Sequence, residues 1–219
     1  MSPTALRLTK GEETRAQILA SAVQQASESG FESLTIGTLA ERTGLSKSGL
    51  FAHFGSKQEL QIAALDEAAR RFTEAVFLPA LKAPRGLRRL RALFEGWIGW
   101  TERASLPGGC PIDAATQEYA HQPGPMREAV VERQRLLGRE LAKAVQMAID
   151  SGEFAPGTDA GQVAFEFLGI ILALHRAELM LGAGEARRRA LAAFERLVRD
   201  QSPVAAPAAA PRSPAAPRR

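Results

Sequence analysis

Residues 35–54 read TIGTLAERTGLSKSGLFAHF, two short helical patterns meeting at Gly44, and few segments of the chain restrict its fold so tightly. Thr35 can cap a first short helix containing Ile36, Leu39 and Ala40, and Ser46 can cap a second, residues 47–53, that Gly55 closes. Ala40 is small where the two helices must touch, Gly44 tolerates positive φ in the turn, and Leu39, Leu45 and Leu50 supply a buried triangle. Those offsets predict a helix-turn-helix. With Ser46, Lys47, Ser48, Gly49 and Ala52 turned outward, its second helix is slim enough to fit a DNA major groove.

Around this segment the apolar residues keep a helical period. Thr9 and Glu12 have capping-box spacing, and Ile18, Leu19, Ala22, Val23 and Ala26 continue a first helix to Gly30. A second capping box, Ser56 and Glu59, opens a long helix through Leu60, Ala64, Ala68, Phe72 and Val76 to Pro79. Leu87, Leu90, Phe94, Trp97, Ile98 and Thr101 mark the inner face of one further helix, with Arg85, Arg88, Arg89 and Arg91 on its solvated side. A Gly/Pro-rich loop at 106–111 precedes a short helix ending near Tyr119, and a long helix follows from about residue 126 to 151. The helix at 159–181 is apolar on two opposite faces: Phe165, Leu168, Leu172 and Leu179 on one, Val163, Phe167, Ile170 and Leu174 on the other. A helix apolar on both sides is buried on both sides, which predicts a two-fold homodimer. A last helix carries Leu191, Phe194, Leu197 and Val198. The expected fold is all-α, with about nine helices: an arm at 1–10, a helix-turn-helix domain at 11–56, a larger helical domain at 57–200, and a disordered Ala/Pro/Arg tail at 201–219.

Charge adds little to this reading. The net charge of +4 and calculated isoelectric point near 9.7 suggest nucleic acid, yet three of the arginines (212, 218 and 219) lie in the tail. One cysteine excludes an internal disulfide, and the N-terminus lacks the pattern of a secretion signal, so a cytoplasmic location is expected. The most apolar run, 167–174, is far short of the roughly 20 residues a membrane span requires. His53, His121 and His175 are scattered along the chain, which argues against a zinc site, and no phosphate-binding glycine loop follows a strand. No enzyme, cofactor or metal is therefore expected.

Ser46, Lys47, Leu50, Phe51, His53, Phe54, Ser56 and Lys57 together resemble the motif that ends the helix-turn-helix of the TetR family of transcriptional regulators, and the resemblance covers residues 11–60. It implies a dimer on palindromic operator DNA, repression as the default, and release by a small-molecule effector. Ser46, Lys47 and Ser48 would read base edges, while Thr35, His53 and Lys57 would contact phosphates. Phe51 stands where many relatives carry tyrosine. The effector would sit in the larger domain, with Phe94, Trp97, Trp100, Tyr119, Met126, Met147 and His175 as candidate lining residues. The dimer interface would use Val163, Phe167, Ile170, Leu174, Leu191 and Phe194. Two alternatives stay open. Cys110, between Gly109 and Pro111 at a helix start that favours its thiolate but near the opposing Asp113, could sense oxidants or electrophiles. The dimer could also bind DNA with no small-molecule effector.

Overall fold

A computed structural model of the chain describes residues 9–203, so most of the expected arm and tail lie outside the described residues. The described residues form helices and connecting turns with no strand. In chain order the helices are α1 (Lys10–Ser29), α2 (Ile36–Thr43), α3 (Lys47–Phe54), α4 (Lys57–Phe72), α5 (Leu78–Ala80), α6 (Leu87–Trp97), α7 (Trp100–Arg103), α8 (Pro111–Tyr119), α9 (Pro125–Asp150), α10 (Ala160–Leu181) and α11 (Ala183–Asp200). The starts follow from the sequence: Thr9 and Glu12 close a reciprocal capping box on α1, and Thr35, Ser46, Ser56 and Asp159 cap α2, α3, α4 and α10 with their side-chain oxygens.

Two departures from the expected nine helices matter. The long helix opened by Ser56 does not run straight to Pro79. One turn of π-helix, Thr73–Phe77, joins α4 to α5 and widens the rod where it passes the centre of the larger domain. The helix expected to continue through Thr101 breaks after Trp97, because Gly99 takes φ +67 and Arg103 donates a hydrogen bond to the freed carbonyl of Ile98 at 2.8 Å.

Buried side chains form two clusters. One lies in the larger domain around Phe72, Phe94, Trp97, Trp100, Phe167 and Phe194, where Phe94 stacks on Phe194 with ring centres 4.0 Å apart and Phe167 meets both edge-on. The other fills the N-terminal head with Ile18, Phe31, Leu34, Leu39, Leu50 and Phe54, and continues into Leu60 and Leu65 of α4, Ala115 and Tyr119 of α8, and Met126 and Val130 of α9. The head therefore completes its core with residues from later in the chain.

The loop before α8 seats directly on α1. Ser27 Oγ donates to the carbonyl of Gly109 at 2.8 Å and accepts from the amide of Gly108 at 3.1 Å. A Cβ on Gly108 would stand 1.7 Å from the carbonyl oxygen of Ser27, so only glycine lets the two backbones approach this closely. Gly108→Ala should cost about 1–3 kcal/mol of stability, since the obstructing atom is backbone and cannot swing aside. Denaturant unfolding would measure it, and an unchanged midpoint would refute the close packing.

Candidate nucleic-acid interface and ligand cavity

The helix-turn-helix is built as its residues require. Gly44 adopts the left-handed conformation (φ +70, ψ +13) between α2 and α3, while Leu39, Ala40 and Leu50 are buried at their contact. The N-terminal turn of α3 is presented outward. Ser46, Lys47, Ser48 and Gly49 are all exposed, and Phe51 on the next turn is exposed too. Ser46 Oγ accepts from the amide of Gly49 at 3.1 Å and lies 3.2 Å from Ser48 Oγ, so the cap and Ser48 form one polar edge beside the free Lys47. Thr35 caps α2 through the amide of Thr38, and His53 is half-buried at the end of α3 against Phe54.

Lys57 begins α4 close to this surface, and its ammonium is paired with Glu32 at 2.8 Å. Glu32 Oε1 also accepts from the hydroxyl of Tyr119 at 2.8 Å. Tyr119 thus belongs to the junction between head and larger domain, where burial and then the Glu32 hydrogen bond push its phenol well above the ordinary value. Next to it, the Glu118 carboxylate accepts from the amides of Phe31 and Glu32, each at 2.7 Å.

The other end of α8 borders a cavity of about 430 Å³. Phe72, Phe77, Leu78, Leu81, Trp97, Ile112 and Leu137 give it an apolar wall; Cys110, Asp113, Arg133, Gln134 and Glu140 supply polar groups. The π-helical turn widens the rod at this wall. Trp97 Nε1, like Trp100 Nε1, is buried with no hydrogen-bond partner. Of the seven residues expected around an effector, Trp97 lines this cavity. Trp100 is fully buried against Phe72, and Phe94 is enclosed in the aromatic stack. Tyr119 and Met126 belong to the core of the head. Met147 is half-buried about two turns beyond Glu140. His175 lies outside this wall, with its Nδ1 against Asp113. Phe72 was legible as an apolar position in its helix; Phe77, Leu78 and Leu81 were not, because the π-turn that shifts the register of the residues after it leaves no mark in a four-residue period, and Leu78 and Leu81 stay half exposed at the cavity rim.

Comparison with known proteins agrees with this geometry across most of the chain. Residues 18–64 match the bacterial regulatory proteins of the tetR family, and residues 86–194 match the Tetracyclin repressor-like C-terminal domain. The chain belongs to the TetR family. Curated relatives include the HTH-type transcriptional repressor AcnR of Corynebacterium efficiens, 40% identical over 63 residues that make up 29% of this chain and 34% of AcnR. The HTH-type transcriptional activator FasR of Mycolicibacterium smegmatis is 30% identical over 94 residues, 43% of each chain. These matches span between a third and a half of the relatives' lengths. Among solved structures, a TetR-family transcriptional regulator from Cytophaga hutchinsonii superposes with a TM-score of 0.78 over 90% of this chain and 98% of its own, at 19% identity.

As a TetR-family transcription regulator, the chain still departs from its sequence in three places. First, Val163, Phe167, Leu174 and Phe194, expected at a dimer interface, are buried inside the protomer. α10 is apolar on both sides, and the side bearing Phe167 is the one that fits the aromatic stack. Phe165, Leu172 and Leu179 are 72%, 50% and 56% exposed on the other side, while Ile170 lines a groove between α10 and α11 and Leu191 is exposed. Second, the Cys110 thiol is not activated: burial first, then the charge of Asp113, raises its pKa well above the ordinary value despite the start of α8. Third, the scattered histidines concealed a cluster, since Cys110, Asp113 and His175 place potential metal-binding atoms within 4.8 Å of one another. No helix among the described residues is long and apolar enough to cross a membrane.

The junction also predicts a pH dependence. The hydrogen bond from Lys57, and secondarily that from Tyr119, lowers the pKa of Glu32 below its ordinary 4.5. A carboxylate depressed in this way contributes stability that is complete above its unfolded pKa and lost as pH falls through the folded one. Glu32→Gln should therefore lower the unfolding midpoint at neutral pH, and the deficit should narrow as the pH is taken from neutral to well below 4.5. A deficit equal at both ends of that range would show that the charge is not responsible.

Proposed function

We propose that the chain is a dimeric repressor that grips a palindromic operator through α3 and lets go when a small, largely apolar effector fills the cavity bordered by α4, α8 and α9. It acts by binding, with no catalytic step, on DNA in the cytoplasm. The observation that carries this reading is the outward first turn of α3, where Lys47 and Ser48 stand exposed beside the Ser46 cap. Lys57, His53 and Thr35 flank that turn at positions suited to phosphates, although Lys57 must exchange Glu32 for DNA. The cavity supports the second half: its wall includes Ile112 and Asp113 of α8, and Glu118 at the far end of the same helix holds the head. A hundredfold release requires about 2.7 kcal/mol of differential binding between the two head positions, within reach of a few apolar contacts and one hydrogen bond to a polar side chain of the wall such as Gln134. The buried thiol disfavours the alternative in which Cys110 senses oxidants directly.

Selection of binding sites from a pool of random duplexes tests the operator assignment. The expected winners contain inverted half-sites about 10 base pairs apart, centre to centre; binding with no sequence preference would end this reading. On a selected site, Lys57→Ala should weaken binding to all duplexes and reduce the salt slope by about one unit, whereas Lys47→Ala should cost roughly 1–3 kcal/mol and mainly relax sequence preference. Fluorescence anisotropy at several salt concentrations separates the two effects.

The same reading puts the partner protomer on the exposed strip of α10, because isolated helices rarely leave a phenylalanine and several leucines in a row on water. Leu172→Arg should sediment as a folded monomer with little operator affinity. Phe167→Ala, by contrast, should lose about 3–5 kcal/mol of stability as a core truncation while still associating when folded. If Leu172→Arg remains dimeric, the partner sits elsewhere.

A further inference from the structure

We propose that Cys110, Asp113 and His175 form a binding site for a divalent transition-metal ion of the zinc type, at the junction of α8 and α10. This goes beyond the operator reading and needs only the fold. Cys110 caps α8 and Asp113 follows three residues later, so both lie on the helix face that meets α10, from which His175 projects. Their candidate ligand atoms all fall within 4.8 Å of one another. Ligands on one tetrahedral zinc ion stand roughly 3.3–3.8 Å apart, so a closure of about 1 Å, within side-chain rotation, completes the arrangement.

His175 supplies the observation that points to a ligand. It is 8% exposed in the most apolar helix, its Nδ1 meets the Asp113 carboxylate, and its Nε2 is buried with no hydrogen-bond partner. The ring nitrogen that faces the other donors is Nδ1. With the ring proton on Nε2, the Nδ1 lone pair turns to the same point as the Asp113 carboxylate and the Cys110 sulfur, and an ion there would take the place of the proton that Nδ1 and the carboxylate share.

The donor set narrows the choice of ion. One sulfur, one imidazole and one carboxylate suit zinc and its neighbours, whereas calcium and magnesium prefer oxygen alone. On binding, the thiol proton leaves to solvent, and thiolate plus carboxylate balance the dipositive ion. A fourth position remains. Cys110 borders both the 430 Å³ cavity and a second one of about 250 Å³ that reaches His175 and Glu178, so water or a small ligand can complete the shell. The ion would tie α8, which holds the head, to α10, which carries the exposed strip.

The test uses the reduced, chelator-treated full-length protein titrated with Co²⁺, a spectroscopic substitute for Zn²⁺, and requires no DNA, so its outcome is separate from that of the operator reading. One equivalent should bind with a sulfur-to-cobalt charge-transfer band in the near ultraviolet, and Zn²⁺ should displace it. Cys110→Ser, nearly isosteric, should abolish the band. Asp113→Asn and His175→Gln should each weaken Zn²⁺ at least about tenfold in competition with a chromophoric chelator. Circular dichroism establishes that each variant is folded, and Cys110→Ser decides the question if His175→Gln is not. A folded wild-type protein without the band, or a Zn²⁺ affinity unmoved by these substitutions, would overturn the proposal.

Discussion

The turn between α1 and α2, residues 30–33, is where the helix-turn-helix head is fastened to the rest of the protein. Glu118 of α8 closes two of its amides with charge-assisted bonds, and Gln61 of α4, itself buried, donates to the carbonyl of Phe31 at 2.8 Å. From inside the head, Gln25 donates to the Ser33 carbonyl at 3.0 Å. Lys57 and Tyr119 converge on Glu32 from two further directions. A turn whose polar groups are claimed by α1, α4 and α8 cannot shift without breaking bonds to all three. A bond from a part-buried amide to a charged partner contributes about 1.5–3 kcal/mol, whereas the exposed Lys57–Glu32 pair adds at most about 1 kcal/mol. The head is thereby oriented by helices that belong to the larger domain.

Those helices are also the ones that reach the cavity. α8 is nine residues long, with Glu118 and Tyr119 at the head and Ile112 and Asp113 at the cavity wall, so it behaves as a short lever with no slack. α4 runs parallel in purpose: Lys57, Leu60 and Gln61 touch the head, and Ala69, Phe72 and the π-turn face the cavity. In the proposed mechanism, a ligand that separates α8 from α4 would move the turn they jointly hold. The close seat of Gly108 on Ser27 would carry the same motion to α1.

The aromatic core sets the outer surface by exclusion. Phe94, Phe167, Phe194 and Trp97 pack as one cluster, which commits one side of α10 inward along its length. Phe165, Leu172 and Leu179 recur every seven residues on the opposite side and stay at least half exposed, although Leu179 also rests against Gly109. Both stripes are similarly apolar in sequence. The inward one is distinguished by the shape of the space that α6 and α11 leave for Phe167.

Local chemistry determined the elements. The caps Thr9, Thr35, Ser46, Ser56 and Asp159, the positive φ at Gly44, and the helical period of the apolar residues are interactions within a few positions of one another, so the helices, the helix-turn-helix and the outward Lys47 were legible from the chain alone. Packing decided what periodicity leaves degenerate. Which side of α10 turns inward, and which aromatic lines a cavity and which is enclosed, depend on partners distant in sequence. The meeting of Cys110 and Asp113 with His175, 62 residues beyond Asp113, shows the limit most clearly: the first two share one helical turn, but the third is brought to them only by the tertiary fold, in which α8 and α10 both pack on α9.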